Sequence, residues 1–274
     1  MSKKKSKSED KKLKKSLIEL IKFIVSLPYI LVKSIFKLVK QLKQKKQNKK
    51  IEKTRSSIDS IYVPFQQILD FEGDYASWEQ NLFDSESMIG IIIGARGKGK
   101  TALGIKLMEN MYAKTKKKIC AMGFKDKDLP SWINVIEEVN EVKNNSFVLI
   151  DEGGILFSSR DSMSKPNKVL SDLILIARHK NLSIIFISQN SSNLEINILR
   201  QADCLLLKPS SLLQKDFERK KIQKVYEEVK DEFEKLKKYK GLTYIYSEDY
   251  RGFVNNDLPS FWSQKISKSF ASNK

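Results

Sequence analysis

Cysteine and histidine are scarce in this chain. Its 274 residues include only two cysteines, Cys120 and Cys204, and a single histidine, His179. Both cysteines lie in apolar, strand-like runs, and two thiols cannot form a disulfide framework. One histidine cannot anchor a metal cluster. The sequence therefore excludes a disulfide-rich scaffold and a zinc site, and it predicts a reducing, cytoplasmic environment.

A long apolar run is also missing from the N-terminal segment. Its longest uncharged run, "FIVSLPYILV", has ten residues. As a helix this run would measure about 15 Å, half the thickness of a bilayer's hydrocarbon core. No small-residue cleavage site follows it, as a secretory signal would require. We therefore expect neither a membrane span nor a cleaved signal peptide here.

Positive charge is concentrated in residues 1–55. The net charge of the chain is +18, and this segment holds 18 lysines and Arg55 against four acidic residues, which leaves +3 for the other 219 residues. On a helix, residues 13–42 would show a narrow lysine stripe and a wide apolar face. This pattern predicts binding to an anionic membrane surface, hence a peripheral location at the inner face of a membrane. A helix that docks on a protein and a disordered basic tail that binds nucleic acid remain alternatives.

A phosphate-binding loop follows the apolar run Met88–Ile93. Residues 94–101 read "GARGKGKT" and fit the Walker A pattern G-x-x-x-x-G-K-T. In such a loop the lysine, here Lys100, binds the β- and γ-phosphates of ATP, and the hydroxyl of Thr101 is a Mg²⁺ ligand. We expect the following residues to contact the nucleotide: Gly94, Ala95, Arg96, Gly97, Lys98, Gly99, Lys100, Thr101 and Ala102.

A Walker B pattern lies about fifty residues further along. The apolar run at 147–150 ends in Asp151 and Glu152. Asp151 is predicted to hold Mg²⁺ together with Thr101, and Glu152 to activate the attacking water as the general base. An acidic pair at a strand end is also a common helix N-cap, but the combination with a Walker A loop favours ATP hydrolysis.

The order of elements predicts an α/β fold. After the P-loop helix, strands are expected at 117–124, 147–150, 182–190 and 203–209, with helices at 131–142, 169–180 and 193–202 between them. Alternation of this kind indicates a mostly parallel sheet covered on both faces. A long charged helix at 211–240 and a hairpin at 242–256 complete the chain. We divide it into a basic segment 1–55, a linker and lead-in 56–87, and an ATPase domain 88–274.

Polar groups at strand ends complete the predicted site. Gln189 ends the strand 182–190 and is a candidate for a hydrogen bond to the γ-phosphate or to the attacking water.

The segment "ARHKNLSIIFISQNSSNLEINILRQADCLLLKP", with the P-loop and "LIDEGG", resembles the FtsK/HerA superfamily, particularly the genome-packaging ATPases of viruses with internal membranes and their plasmid relatives. The resemblance covers residues 88–209. It implies a RecA-like P-loop NTPase fold, with the P-loop strand between the fourth and fifth strands and the Walker B strand one place further out. It also implies a ring, commonly a hexamer, that pumps double-stranded DNA with ATP and Mg²⁺.

The same resemblance suggests arginines that act across a subunit boundary. Arg178 of "ARHKN" is the first candidate for a finger that reaches the γ-phosphate of a neighbouring subunit, and Arg200 is the second. Either could instead be an ordinary surface cation. In "FSSRDSMSKPNK", the loop after Walker B, the resemblance also suggests that Arg160, Lys165 and Lys168 face a pore and contact DNA phosphates.

The chain is also similar, more distantly, to the filamentous-phage assembly ATPases of the zonula-occludens-toxin group, which share "RH" before the fourth strand. Those proteins usually carry a transmembrane span after the ATPase, which we do not expect here. We therefore predict an ATPase motor for double-stranded DNA, attached by its N-terminus to the inner face of a membrane. The resemblance to viral packaging ATPases also implies a location in a virion. The alternatives are an ATPase that acts on protein during virion assembly or secretion, and a nucleotide-dependent switch.

Overall fold

The computed structural model describes residues 39, 42, 43, 46, 55, 57–115, 117–125, 129–151, 174–263 and 266. The chain divides into two compact units, Met1–Thr54 and Arg55–Lys274. In the first unit the four described residues are helical, and the predicted amphipathic helix over 13–42 otherwise lies outside the described residues. Among the residues that were described, no helix is both long and apolar enough to span a bilayer.

A nine-stranded sheet organises the second unit. Its strands are β1 (Gln66–Gly73), β2 (Met88–Ile93), β3 (Lys118–Met122), β4 (Ile133–Ile136), β5 (Ser146–Asp151), β6 (Leu182–Ser188), β7 (Cys204–Leu207), β8 (Leu242–Ser247) and β9 (Tyr250–Asn255). The order across the sheet is β1-β9-β8-β7-β2-β6-β5-β3-β4. Strands β2 to β7 pair in parallel, and β8, β9 and β1 add an antiparallel extension.

This order confirms the predicted RecA-like fold class. β2, which leads into the P-loop, lies between β6 and β7, and the Walker B strand β5 lies beyond β6. The resemblance implied this arrangement. In an open α/β sheet, ligands bind at the carboxyl ends of the strands, near the point where the chain order reverses. Here that point is the carboxyl end of β2, where the P-loop begins.

Helices cover both faces of the sheet. Those whose bounds lie within the described residues are α1 (Tyr75–Asp84), α2 (Lys100–Thr115), α3 (Ile196–Gln201), α4 (Leu212–Phe217), α5 (Lys220–Glu228) and α6 (Lys230–Lys235). Successive side chains of a strand point to opposite faces. Accordingly, Ile91 and Ile93 of β2 belong to the buried cluster that contains residues of α5, whereas Ile92 belongs to the cluster that contains residues of α2. All three isoleucines are fully buried.

The segment 56–87, expected to be linker and lead-in, contains a strand and a helix. β1 pairs with β9 at the edge of the sheet, and α1 buries Tyr75, Trp78 and Leu82. Asp74 caps α1 by accepting a hydrogen bond of 2.8 Å from the Ser77 backbone N–H.

Two predicted helices are corrected by the structure. The segment 131–142 was expected to be helical, but it contains β4 and a short 3₁₀ turn, Val139–Glu141. Ile133 and Ile136 are buried, and β4 pairs with β3. Strand pairing and burial of β-branched residues outweigh the helical preference of the acidic residues.

The long helix expected at 211–240 is broken into α4, α5 and α6. The first break falls at Glu218 and Arg219, whose polar groups bind the loop after β6. The second falls at Val229, which leaves the helical conformation with φ −119° and ψ 17°. Contacts distant in sequence therefore interrupt a pattern that is locally helical.

Candidate nucleotide-binding site

The P-loop joins β2 to α2 at the carboxyl edge of the sheet. The backbone N–H of Ala95 donates to the carbonyl of Pro209 over 3.1 Å, and that of Leu103 donates to Gly99 over 2.9 Å. Arg96, Gly97, Lys98 and Gly99 are exposed, whereas Ala95 and Ala102 are buried. Gly99 has a φ of 83°, a left-handed value that a side chain would oppose. The loop is therefore anchored at both ends, with its exposed part at the mouth of the site.

Lys100 lies under the loop. Its Nζ donates to the carbonyl oxygens of Gly94 and Ala95 over 2.6 and 3.0 Å. Burial lowers the pKa of Lys100 to about 8, and the carboxylates of Asp151 and Glu218 oppose that decrease. Desolvation disfavours the charged amine, while the nearby negative charges favour it. The ammonium is therefore held within the loop, next to the backbone that would surround a phosphate.

Thr101 and Asp151 bring the two Walker motifs together. The Thr101 hydroxyl donates to Asp151 Oδ2 over 3.3 Å. Asp151 ends β5 and pairs with Ile187 of β6, and Ile187 pairs with Ile92 of β2. The carboxylate therefore reaches the level of the P-loop from two strands away. A hydroxyl and a carboxylate this close form an oxygen pair of the type that Mg²⁺ prefers.

Gln189 lies at the same edge of the sheet. It follows Ser188, which pairs with Ile93, the last residue before the P-loop. The residue is exposed, and its backbone carbonyl accepts a hydrogen bond from the side chain of Gln214. The register thus places Gln189 beside the P-loop, and its predicted contact with the γ-phosphate or the attacking water stays a prediction.

The two candidate arginines lie at the opposite edge. Arg178 precedes β6, and Arg200 lies in α3 before β7, so both are near the amino ends of strands whose carboxyl ends adjoin the P-loop. Both are exposed. β6 has seven residues and separates the edges by about 20 Å. Neither arginine can therefore approach the nucleotide site of its own chain.

Several predicted residues lie outside the described part of the chain. Glu152 and the residues up to 173 are not described, so the roles expected of Glu152, Arg160, Lys165 and Lys168 stay predictions. Within the described residues, no group of three or more His, Cys, Asp or Glu side chains is arranged to hold a metal ion.

Three further residues at this edge were not identified from the sequence. Lys208 is buried behind the loop, and its Nζ donates to Gly241 O and Asn256 Oδ1, each over 2.8 Å. Tyr226 donates its hydroxyl to the Lys208 carbonyl over 2.9 Å. Glu218 is 5% exposed and influences the Lys100 charge. No local pattern distinguishes these residues from the surface charges around them.

The aspartate of "RQAD" has a structural contact. Asp203 Oδ2 accepts from the Ile89 backbone N–H over 2.7 Å, and the Asp203 N–H donates to the Ile89 carbonyl over 2.8 Å. This reciprocal pair aligns the start of β7 with β2. The turn therefore helps to set the position of the P-loop strand.

Residues 103–206 match the family described as Zonular occludens toxin (Zot). The match covers less than half of the chain and contains the Walker B strand, β6 and most of β7. None of the curated proteins matches the chain.

The chain is similar in structure to the genome packaging NTPase B204 from Sulfolobus turreted icosahedral virus 2 in complex with ATP-gammaS. The identity is 14%, the coverage is 64% of this chain and 100% of that one, and the TM-score is 0.43. A second similar structure is the pCW3 conjugation coupling protein TcpA in its monomer form, with 13% identity, coverage of 69% and 65%, and a TM-score of 0.45. A third is EssC (ATPases 2 and 3) from Geobacillus thermodenitrificans, with 9% identity, coverage of 78% and 49%, and a TM-score of 0.42.

Identities this low leave function to be argued from the site. The Walker A loop, the Thr101–Asp151 contact and the family match together make the second unit a P-loop ATPase domain. The predicted enzyme class is therefore confirmed, and the resemblance drawn from the sequence is confirmed at the level of P-loop ATPases.

Proposed function

We propose that this chain is an ATP-driven motor that translocates or packages double-stranded DNA. The observation that carries the proposal is the contact between Thr101 and Asp151, which unites the two Walker motifs at one edge of the sheet. The motifs and their order along residues 88–209 resemble those of DNA-translocating ATPases.

The residues of the site have distinct roles in this proposal. The P-loop N–H groups and Lys100 bind the phosphates of ATP, because converging donors and a buried cation suit a polyanion. Thr101 and Asp151 hold Mg²⁺, which supplies charge neutralisation to the phosphates when bound. Gln189 orients the attacking water, and Glu152, predicted from the sequence, removes its proton.

The placement of the arginines supports self-association into a ring. Arg178 and Arg200 lie at the edge of the sheet away from the P-loop of their own chain. An arginine finger from this edge must therefore act on the nucleotide of a neighbouring copy. Head-to-tail contacts of this kind close into a ring when the rotation from each copy to the next brings the last copy back to the first.

Residues 1–55 are proposed to bind an anionic membrane surface. Their charge of +15 and the amphipathic pattern over 13–42 support this part of the proposal. Flotation of the full chain with vesicles of anionic lipid tests it, and vesicles of neutral lipid are the control. If the chain fails to float with either at moderate salt, this part is wrong.

The DNA part is tested by measuring ATP turnover with double-stranded DNA, single-stranded DNA or heparin. We expect about tenfold stimulation by double-stranded DNA and little by heparin, because a non-nucleic polyanion reproduces charge but not helical shape. The full chain and a chain lacking residues 1–54 should respond alike, and Lys100→Ala provides the background. Equal responses to DNA and heparin, or none, would contradict the proposal.

A second candidate is an ATPase that acts on protein during virion assembly at a membrane. The match of residues 103–206 to the zonular occludens toxin family favours it. Stimulation of turnover by anionic vesicles, without any effect of DNA, would support this candidate over the first.

A further inference from the structure

Glu218 is a buried carboxylate beside the nucleotide site that the Walker motifs leave without a role. It accepts a hydrogen bond of 2.7 Å from the Ser191 backbone N–H at Oε2, and one of 3.0 Å from Gln214 Nε2 at Oε1. A buried charge is costly unless hydrogen bonds satisfy it. Both oxygens of Glu218 are used, each by a different segment of the chain.

Gln214 extends this contact to Gln189. Its Nε2 donates one hydrogen to Glu218 and the other to the Gln189 backbone carbonyl. An amide nitrogen has two hydrogens, so its donor capacity is fully used. Together Gln214 and Glu218 hold the backbone at residues 189 and 191, on either side of Asn190.

The same segment also touches the P-loop. Residues 209–219, which we call the strap, begin at Pro209, the acceptor of the Ala95 N–H bond. They end at Arg219, which donates to Ser191 Oγ from its backbone N–H over 2.8 Å and to the Ser191 carbonyl from Nε over 3.1 Å. In addition, Ser192 Oγ donates to the Phe217 carbonyl over 2.6 Å. The strap therefore joins the P-loop to the loop after β6.

We propose that Gln214 and Glu218 are positioning residues that hold Gln189 in place for ATP hydrolysis. This inference rests on the role of Gln189 in the proposed function. Gln189 is exposed at the end of a strand, so packing of its side chain does not hold its backbone in one position. A misplacement of about 1 Å in a catalytic group can reduce turnover a hundredfold. Contacts that hold its carbonyl would limit such displacement.

The geometry distinguishes informative substitutions. Gln214→Met keeps the length of the side chain and removes both donors. Glu218→Gln keeps the shape of the side chain but replaces one carboxylate oxygen with an NH₂ group. That NH₂ group must face either the Ser191 N–H or the Gln214 amide, both of which are donors, so one hydrogen bond is lost. Gln223→Met is a matched control, because Gln223 Nε2 donates to the Asp216 carbonyl over 3.1 Å, away from Gln189.

The first measurement is steady-state ATP turnover of the full chain. In Gln214→Met and Glu218→Gln we expect kcat to fall about tenfold. In Gln214→Met, which leaves the Glu218 charge beside Lys100 unchanged, KM and the affinity for a fluorescent ATP analogue should stay within about twofold. Gln223→Met should match the parent chain. A parallel loss of affinity in Gln214→Met, or an equal effect of Gln223→Met, would overturn the proposal.

Epistasis and hydrogen exchange separate this proposal from the role of Gln189. If Gln214 acts through Gln189, Gln214→Met should add nothing to the loss caused by Gln189→Ala. Amide exchange in residues 190–194, measured without nucleotide, should rise about tenfold in Glu218→Gln and not in Gln223→Met. Unchanged exchange would overturn the positioning role even if turnover fell. Normal turnover in Gln189→Ala would refute the proposed role of Gln189. If Gln214→Met nevertheless hydrolysed ATP slowly, Gln214 would act by some route other than Gln189, and this inference would be overturned.

Discussion

Gly94 and Lys208 meet at the point where β2 becomes the P-loop. A Cβ added to Gly94 would lie 2.5 Å from the Lys208 Cβ and 3.0 Å from the Lys208 carbonyl oxygen. These distances are too short for a side chain, and the obstacle is the Cβ and backbone of Lys208, the residue that directly follows β7. The first glycine of the motif therefore permits the close packing of two neighbouring strands, besides the approach of phosphate.

Gly94→Ala should destabilise the domain through this contact. Overpacking of a filled site typically costs about 1–3 kcal/mol, and we expect the free energy of unfolding to fall by that amount in addition to the cost of placing alanine at the positive φ of Gly94, 155°. Chemical denaturation measures the change. Gly97→Ala is the control, because a Cβ added to Gly97 would have nothing within 4 Å, and the substitution should cost about 1 kcal/mol from backbone conformation alone. Equal losses would contradict the packing argument.

Lys208 should make stability depend on pH. Burial lowers the pKa of Lys208 to about 7, below the value of about 10.4 for an exposed lysine. Between these values the unfolded chain binds more protons than the folded chain, so stability rises with pH across this window and is lowest below pH 7. Relative to Lys208→Met, the parent chain should gain roughly 2 kcal/mol in free energy of unfolding between pH 6.5 and 9. A constant difference over this range would contradict the prediction.

Lys100→Ala should abolish measurable binding of Mg-ATP. The substitution removes the buried cation that contacts the carbonyls of Gly94 and Ala95. We expect the dissociation constant, measured by calorimetry, to rise at least about a hundredfold. Lys98→Ala removes an exposed lysine of the same loop and should change the dissociation constant by no more than about threefold. Similar losses in both variants would indicate that general positive charge, not the position of Lys100, determines binding.

The central sheet could be predicted because its signals are local. Met88–Ile93 is a continuous apolar run that ends at the glycines of the P-loop, and β5, β6 and β7 have the same character. Runs of this kind are typical of parallel strands buried on both faces. The Walker residues follow them at fixed spacing, so the positions of Lys100, Thr101 and Asp151 could also be predicted.

Elements that depend on distant partners could not be predicted. In β1 the side chains on both faces of the strand are largely exposed, so its sequence shows no alternation of apolar and polar residues. The strand forms by pairing with β9. Glu218 and Arg219 lie in a segment rich in charges, and only their contacts with Ser191 distinguish them. The correct position of β4 likewise depends on pairing with β3. The periodicity of a sequence indicates which side chains of one helix or strand are buried. It does not indicate which other helix or strand packs against them.

Lys106 and Glu109 form a buried ion pair on α2. Their side chains are 2% and 0% exposed, and Lys106 Nζ lies 2.8 Å from Glu109 Oε2. Glu109 also accepts from the backbone N–H groups of Ile61 and Ser260. Lys106→Met should lower the free energy of unfolding by about 3–5 kcal/mol, because it leaves a buried carboxylate without its cation.

Chemical denaturation tests this, with Lys114→Met as the control. Lys114 is on the same helix, with its Nζ 4.1 Å from the centre of the Tyr62 ring, and its loss should cost about 1 kcal/mol or less. Addition of Glu109→Gln to Lys106→Met should recover part of the loss, since the unpaired charge is then gone. No recovery would mean that packing, not charge, explains the cost.

Arg178 should act on the nucleotide of a neighbouring copy. Its place at the edge of the sheet away from the P-loop rules out a contact within its own chain. Lys100→Ala and Arg178→Ala should each hydrolyse ATP at background rates. When the two variants are mixed before assembly, about a quarter of the interfaces combine an intact P-loop with an intact arginine, so turnover should recover to about that fraction. A mixture of Lys100→Ala with Glu152→Gln, which both affect the same site, should not recover. A parallel mixture combines Lys100→Ala with Arg200→Ala. If ATP turnover recovers in that mixture and not in the mixture with Arg178→Ala, the arginine finger is Arg200.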